Sequence, residues 1–167
     1  LLDGPPYANN IPHVGNIRNT IYKDLFIRKA FMNQKNVFFC PGFDTHGLPI
    51  ENMVEKKLGL TSKKDIERMG ASLFLAQCKE LAATNKELWL SVFEKLGSWY
   101  SAKLPWLTYN NEFIESGWWA FKKMWDKDMI YESERPVYWC AHCETALAGY
   151  DVTDSYAMVT DPAVHVM

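Results

Sequence analysis

Residues 3–16 read Asp-Gly-Pro-Pro-Tyr-Ala-Asn-Asn-Ile-Pro-His-Val-Gly-Asn and are followed by an amphipathic segment. This order is typical of a strand that ends in a proline-rich turn, followed by a His-x-Gly-Asn signature at the start of a helix. The unpaired N–H groups and the positive dipole end of a helix N-terminus attract anions. A preceding histidine adds a donor, and Gly15 allows a ligand to approach the backbone. The stretch therefore predicts a phosphate site at a strand-to-helix junction.

The helix after the signature should end near Asn33, before the short run Val-Phe-Phe-Cys at residues 37–40. That run is aromatic and β-branched, and a Pro-Gly pair follows it, which predicts a buried strand. A strand, a helix and a strand in this order form a right-handed βαβ unit with parallel strands. Ligands bind beyond the carboxyl ends of such strands. Residues 5–15 and 41–51 should therefore meet on one edge of the sheet.

Residues 41–51 read Pro-Gly-Phe-Asp-Thr-His-Gly-Leu-Pro-Ile-Glu. Together with residues 3–16, they resemble the N-terminal catalytic half of the class I aminoacyl-tRNA synthetases, most closely the isoleucine-specific members. That family writes the two motifs D-G-P-P-x-A-N-G-x-x-H-x-G-H and G-W-D-x-H-G-L-P-x-E at the same separation. The likeness continues through residues 56–60, 115–119 and 138–143. It covers essentially the whole chain.

The resemblance implies an α/β fold, the first half of a Rossmann-like parallel nucleotide-binding domain with helical additions. It also implies a short zinc-ribbon-like β segment at the end of the chain. Residues 1–136 would form the N-terminal half of the catalytic domain. Residues 137–167 would begin the connective-peptide insertion that carries editing, with residues 151–167 as the start of its ribbon.

The activity implied by the resemblance is an isoleucine–tRNA ligase. It would activate isoleucine with ATP and Mg²⁺, then pass the acyl group to tRNA(Ile), with editing in the full-length protein. The amino acid carboxylate is itself the nucleophile on the α-phosphorus, so the protein would supply positioning and electrostatic stabilisation. The family also implies a cytoplasmic protein that is a monomer at full length.

The site residues implied by the resemblance fall in the two motifs. His13 and Asn16 would be catalytic and would contact ATP at the helix N-terminus. Gly15 would let the adenine or ribose lie close to the backbone. Asp44 would hold the substrate ammonium group by a charge-assisted bond, and the turn at Pro5 would form a wall near the substrate.

Two residues depart from the family pattern. Asn10 stands where the family usually has glycine, and Asn16 stands where it usually has the second histidine. An asparagine amide can donate a hydrogen bond to a phosphate or ribose oxygen, but it cannot carry charge. ATP contact could therefore persist at Asn16 with less electrostatic help to the transition state.

Structural roles compete with these functional ones. Asp44 could instead cap a helix beginning near Leu48, and His46 could be a structural histidine within the turn. Asp3, at the predicted end of a strand, is interpreted as structural.

The Cys-x-x-Cys motif at residues 140–143 is a second chemical signal. Two thiolates at this spacing can bind one tetrahedral zinc ion from a tight turn, so Cys140 and Cys143 are predicted zinc ligands. A redox dithiol has the same spacing but usually opens a helix after an early strand. Covalent haem would need a histidine directly after Cys143, where Glu144 stands.

The zinc hypothesis leaves the site half complete, because the other two ligands would lie beyond residue 167. His142 is the alternative ligand, but a side chain pointing to solvent is the preferred interpretation. Cys40 and Cys78 lie in apolar or helical contexts and are predicted to be small buried residues.

The middle of the chain is predicted to be helical. Residues 64–100 follow helix spacing with a break near Gly70 or Ala83, and a further helix covers about residues 111–128. The aromatic side chains of this last helix are predicted to be core. The alternative is that Trp118 or Trp119 stacks on an unpaired nucleotide.

Composition and charge limit the classes of protein that fit this sequence. The chain has 167 residues, 48% of them hydrophobic, and a formal charge of −2. This charge argues against a domain-wide basic field for RNA. No apolar run is long enough to cross a membrane and no signal peptide is visible.

The chain is also expected to be a fragment with little activity of its own. It lacks a Lys-Met-Ser-Lys-Ser-like loop, which the family uses on pyrophosphate. The competing hypotheses are a valine- or leucine-specific relative, a small nucleotidyltransferase of the same superfamily, and a zinc-dependent RNA-binding module without catalysis. The near-neutral charge disfavours the RNA-binding module.

Overall fold

The computed structural model of the protein describes residues 4–99, 105–153 and 156–164. Asp3 lies outside these residues. The helices are α1 (Val14–Met32), α2 (Leu48–Leu58), α3 (Lys63–Met69), α4 (Ala71–Lys95) and α5 (Asn111–Trp125). The strands are β1 (Gly42–Phe43), β2 (Trp106–Leu107), β3 (Tyr138–Cys140) and β4 (Thr145–Leu147), and a 3₁₀ turn covers Gly149–Val152.

A short parallel sheet organises the N-terminal part of the chain. Strand β1 pairs in parallel with β2, with Gly42 opposite Trp106. On the other side of β1, Tyr7 forms a parallel β-bridge with Asp44, the residue directly after the strand. Helix α1 connects the first segment to β1 and ends with Asn33 as its C-cap. The parallel arrangement of the two segments that α1 connects and the end of this helix are therefore confirmed, with the first segment pairing through one bridge among the described residues.

The strand predicted at residues 37–40 is wrong. The strand begins after Pro41, and Phe38 is 75% exposed. The hydrogen bonds of the sheet explain the shift, since Trp106 N donates to Pro41 O at 3.1 Å and Asp44 N to Pro6 O at 2.8 Å. The neighbouring segments thus pair with residues 41–44. Apolar residues just before a strand can resemble the strand itself, because both are extended and rich in the same side chains.

The core lies between the sheet and the helices α1, α2 and α4. Helices α2 and α4 pack on each other, with α3 against α4. Phe43, at the end of β1, is completely buried. The other buried apolar side chains of the core cluster are Ala8, Ile27, Ile50, Val54, Phe74, Cys78, Ala82, Trp89, Leu90, Phe93 and Leu107. The core therefore includes residues of both segments that meet at the sheet edge, Ala8 and Phe43.

The predicted break in the middle helix occurs at Gly70. It ends α3, precedes α4, and has a φ of +95°, a conformation that L side chains rarely adopt. Glycine has no Cβ and tolerates this backbone. Ala83 lies within α4, so the alternative position for the break is wrong.

Helix α5 forms where it was predicted, but its aromatic side chains are not core. No described residue of this helix is buried, and Trp118 and Trp119 are 66% and 65% exposed. At its first turn, the ring of Phe113 stacks on Trp106 of β2, with 5.3 Å between the ring centroids. The prediction is wrong because periodicity reveals an apolar face without revealing whether another element covers it.

Strands β3 and β4 form an antiparallel hairpin with Trp139 opposite Ala146. Polar contacts between described residues link the hairpin to the helices. Nε2 of His142 lies 3.1 Å from Oε2 of Glu55 on α2, and Nζ of Lys63 on α3 lies 3.6 Å from Oε2 of Glu144. The zinc-ribbon interpretation of this hairpin and the domain boundary at residue 137 stay predictions.

Among the described residues, no helix has both the length and the apolar character that crossing a bilayer requires.

Candidate functional site

The two motifs meet at one edge of the parallel sheet, as predicted. Asp44 donates its backbone N–H to Pro6 O at 2.8 Å, and Ala8 donates its N–H to Asp44 O at 2.9 Å. These bonds join the turn before the signature to the end of β1. Both segments continue past the carboxyl ends of the parallel strands, which is where ligands bind in sheets of this type.

A cleft of about 410 Å³ opens beside the first motif. Its wall is formed by residues 5–7 and 9–11, together with His13, Asn16 and Trp89. Three of the predicted site residues, Pro5, His13 and Asn16, therefore line one cavity. Trp89 comes from α4 and was not predicted to contribute.

His13 is the N-cap of α1 and its ring caps the helix directly. Nδ1 accepts a hydrogen bond from Gly15 N at 3.1 Å, while Oδ1 of Asn16 accepts one from His13 N at 3.0 Å. The two residues therefore form a reciprocal capping box. Because Nδ1 is an acceptor here, the ring proton of the neutral imidazole is on Nε2. The cap presets one tautomer and leaves Nε2–H as a donor.

Gly15 makes room for this cap. A Cβ at this position would lie 2.9 Å from Cε1 and 3.1 Å from Nδ1 of His13, closer than such atoms normally approach. The glycine therefore has a structural function that the sequence alone did not indicate. It accommodates the ring of His13 over the first turn of α1.

Asn16 makes a local contact that was not predicted from the sequence. Its Oδ1 is used for the capping box, so the side chain serves the helix as well as the cleft. Its Nδ2 carries two protons and can donate hydrogen bonds. An asparagine can thus support the helix end with one atom and offer a hydrogen bond with the other.

Asp44 is held by the turn that follows β1. Its Oδ1 accepts hydrogen bonds from His46 N at 3.3 Å and from Oγ1 of Thr108 at 3.4 Å. The alternative that Asp44 caps the next helix is wrong, because the N-cap of α2 is Gly47 and no side chain caps it. The carboxylate is half-buried and does not line the cleft of His13.

A buried threonine pair supports this turn from β2. Thr45 N and Thr45 Oγ1 both lie 2.9 Å from Oγ1 of Thr108, and Tyr109 N donates to Thr45 Oγ1 at 3.1 Å. Thr108 Oγ1 can accept both bonds from Thr45 and donate its proton to Asp44. Sequence reasoning missed this network. Thr108 lies 64 residues from Asp44 along the chain, and nothing local connects them.

Two side chains of α4 bind the loop that leads to the signature, and sequence reasoning missed both. Asn85 Nδ2 donates to Ala8 O at 2.9 Å, and Trp89 Nε1 donates to Asn10 O at 2.8 Å. One sequence feature could have indicated these contacts: an asparagine lies one turn before a tryptophan on the apolar face of a long helix. Buried polar groups need partners, so a polar residue on such a face indicates a specific contact.

His46 lies at a second cavity of about 330 Å³ between α2, α4 and the start of α5. It is exposed, and its neighbours in the lining include Glu51, Cys78 and Tyr109. The structure therefore places the two histidines of the motifs at different cavities. The structural role proposed for His46 involves its backbone N–H, which donates to Asp44.

The Cys-x-x-Cys turn connects β3 to β4. Cys143 N donates to Sγ of Cys140 at 3.3 Å, and this backbone bond lowers the pKa of Cys140. Burial raises the pKa of Cys143 to about 11, with the neighbouring Cys140 adding to the effect. The side chain of His142 is about half exposed and forms a hydrogen bond with Glu55. The prediction that it points to solvent is therefore only partly correct.

The described residues contain no group of three or more His, Cys, Asp or Glu side chains placed to hold a metal ion. The donor set at the turn is therefore two sulfurs. Cys78 is buried as predicted, and burial together with Glu51 and Glu55 raises its pKa to about 11. Cys40 is only half-buried, so the prediction of burial holds for one of these two cysteines.

The comparisons with known proteins agree with the motif resemblance. The model of the family described as tRNA synthetases class I (I, L, M and V) matches residues 1–163. The chain belongs to this family. The resemblance stated from the two motifs is thereby confirmed.

Relatives of this synthetase chain include isoleucine–tRNA ligases of Pyrococcus horikoshii and Clostridium acetobutylicum. Each is 44% identical, over 167 and 166 residues respectively, which is 99% of this chain and 16% of the relative. The chain therefore spans 16% of the length of the curated relatives that it matches.

A solved structure also shares the fold. It is a LeuRS of Agrobacterium radiobacter K84 in a ternary complex with tRNA and LeuAMS, with a TM-score of 0.69 and 23% identity. The match covers 93% of this chain and 18% of that one. At this identity the likeness shows the fold alone, and it supports the predicted Rossmann-like class.

Proposed function

We propose that this chain is part of an isoleucine–tRNA ligase, which activates isoleucine with ATP and transfers it to tRNA(Ile). The observation that carries the proposal is the 44% identity to isoleucine–tRNA ligases over 99% of the chain. The position of both motifs at one sheet edge agrees with it. By the same proposal the full-length protein is a cytoplasmic monomer that edits its product.

In the proposed reaction, an isoleucine carboxylate oxygen bonds to the α-phosphorus of ATP while the bond to the pyrophosphate leaving group breaks. Negative charge moves onto the phosphate oxygens. Nε2–H of His13, a residue that lines the cleft, would be the preset donor, because Nδ1 is already used by the helix cap. A fixed donor of this kind needs no reorganisation when charge develops, which is how preorganised sites lower barriers.

Asn16 and Gly15 complete the nucleotide side of the proposal. Nδ2 of Asn16 would donate to a phosphate or ribose oxygen while Oδ1 stays in the capping box. Gly15 would act through His13, because only a residue without a Cβ lets the ring lie over the helix start. Pro5, in the cleft wall, would limit where the substrate lies. Mg²⁺ would neutralise phosphate charge when ATP is bound.

Asp44 is proposed to bind the ammonium group of isoleucine. Its carboxylate is oriented by Thr108 and by the turn at His46, so one oxygen is held while the other can accept from a substrate. A charge-assisted bond of this type is stronger than a neutral one and is directional.

The Cys140–Cys143 turn is proposed as one half of a zinc site. The structure fits this in one respect, since the Cys143 N–H bond to Cys140 Sγ favours the thiolate that a metal requires. Two sulfurs do not complete a tetrahedral structural site. In the full-length protein, Cys140→Ser should lower zinc content measured by elemental analysis, and Cys40→Ser should not. Equal zinc in both variants would contradict the proposal.

The experiment that tests the function is isoleucine-dependent exchange of labelled pyrophosphate into ATP by the full-length protein. Exchange with isoleucine should exceed exchange with valine by about 10- to 200-fold in kcat/KM, the range that one methylene supplies in an apolar pocket. A preference for valine or leucine would support those relatives instead. Exchange without any amino acid would favour a nucleotidyltransferase.

A further inference from the structure

Helix α4 contacts the signature loop through two donors that are four residues apart. Asn85 and Trp89 lie on the same face of this helix, since residues at i and i+4 are neighbours. They donate to the carbonyl oxygens of Ala8 and Asn10, at 2.9 and 2.8 Å. Each bond spans more than 75 residues of sequence. One helix therefore fixes two points of a short loop.

The contact of Asn85 with Ala8 is buried, whereas the contact of Trp89 with Asn10 is only partly buried because Asn10 is exposed. Asn85 is 7% exposed, Trp89 is 4% exposed and Ala8 is completely buried. In such surroundings a carbonyl that loses its donor is not rescued by solvent. The conformation at Ala8 is therefore tied to the Asn85 donor, and Trp89 provides a second attachment point at Asn10.

The loop connects the sheet edge to the start of α1 and forms part of the cleft wall. It begins at the bridge between Tyr7 and Asp44 and leads to His13, and Asn9 and Asn10 form part of the cleft wall. A shift of residues 8–10 would move the start of α1 relative to the sheet edge. Asn85 does not itself line the cleft, whereas Trp89 does.

We propose that Asn85 is a positioning residue for the nucleotide, acting through the backbone of the loop at residues 8–10, with Trp89 holding the same loop at Asn10. This inference rests on the proposed function, because it assigns the cleft to ATP. It adds α4 to the elements that determine ATP affinity. Neither sequence motif contains a residue of that helix.

The test uses Asn85→Leu and Asn85→Asp in the full-length protein. Leucine keeps the approximate size without a donor, and aspartate keeps the shape but places an acceptor against the Ala8 carbonyl. The KM for ATP in pyrophosphate exchange should rise about three- to tenfold in the leucine variant, the equivalent of one lost hydrogen bond, and further in the aspartate variant. The KM for isoleucine should stay within about twofold of wild type.

Phe74→Leu is the matched control, because Phe74 is buried in the same helix about three turns before Asn85. It should lower Tm without changing either KM at temperatures well below the transition. If Asn85→Leu lowers Tm in the same way and leaves the KM for ATP unchanged, the positioning role is overturned. If both KM values rise equally, general damage is the explanation and the proposal is also overturned.

Trp89→Phe provides a second arm if Asn85→Leu does not fold, since it removes the Nε1 donor and keeps an aromatic ring. It should raise the KM for ATP and speed hydrogen exchange of the amides at residues 7–11. Unchanged exchange protection in this variant would overturn the proposal. A wild-type protein inactive with every amino acid would instead refute the proposed function, and with it the assignment of the cleft to ATP.

Discussion

The cleft region around Trp89 and the helix α5 are both rich in aromatic side chains. The rings of the cleft region are buried, whereas those of α5 are exposed. In the cleft region Trp89 lies edge-on to Phe43 and Phe93, with centroids 6.1 and 5.9 Å apart, and all of these rings are buried. In α5, Phe121 contacts Trp118 and Trp125 at 5.7 and 6.5 Å. These rings are 42–66% exposed. Similar ring pairs therefore occur in opposite environments.

The difference is whether a second element covers the rings. Phe43 meets Trp89 from a segment far away in the chain, whereas Trp89 and Phe93, like the rings of α5, are neighbours within one helix. Contacts at i, i+3 and i+4 need only a helix. Burial needs a second surface. Aromatic periodicity therefore predicts the helix reliably and its environment poorly.

The largest expected effect is on the stability of the cleft region. Phe43→Ala should destabilise the 167-residue chain by about 3–5 kcal/mol, because a completely buried ring would leave a cavity under β1. Urea unfolding followed by circular dichroism measures this. A loss below about 1 kcal/mol would mean that the sheet edge is not the stable part of the molecule.

The second effect is on catalysis at the helix cap. In the full-length protein, His13→Ala should slow isoleucine-dependent pyrophosphate exchange by about 10- to 1000-fold, as for other preorganised donors. Gly15→Ala should act in the same direction, since its Cβ would lie 2.9 Å from the His13 ring. Asn16→His should be tolerated. Unchanged kinetics in His13→Ala would remove this residue from the mechanism.

The third effect separates the two substrates. Asp44→Ala should raise the KM for isoleucine by about tenfold or more, while the KM for ATP changes little, because the ammonium group would lose a charged partner. Thr108→Val is the companion variant, since it removes the hydroxyl that orients Asp44 and should give a smaller change of the same kind. Equal changes in both KM values, with a lower Tm, would indicate that Asp44 is only a turn residue.

The smallest effect is expected in α5. Trp118→Ala should change the stability of the 167-residue chain by about 0.5 kcal/mol or less, because the ring is 66% exposed. The same urea titration compares it directly with Phe43→Ala. A loss as large as that of Phe43→Ala would show that this face is covered in solution, and the contrast between the two regions would disappear.

Local features of the sequence determined much of this protein. The helix from Val14 to Met32, the break at Gly70 and the helix that begins at Asn111 follow from periodicity, glycine and capping residues. The two motifs were sufficient to predict the family and the meeting of both segments at one sheet edge. These features depend on neighbours within about four residues, or on segments joined by a single crossover.

Only the tertiary structure decided which of those residues work together. It moved the strand from residues 37–40 to Gly42–Phe43, because the partner segments set the register. It also brought Asn85 and Trp89 to the signature loop, and Thr108 to Asp44. Such contacts join residues more than 60 positions apart, and a hydrogen bond across that distance depends on how whole elements pack rather than on local sequence.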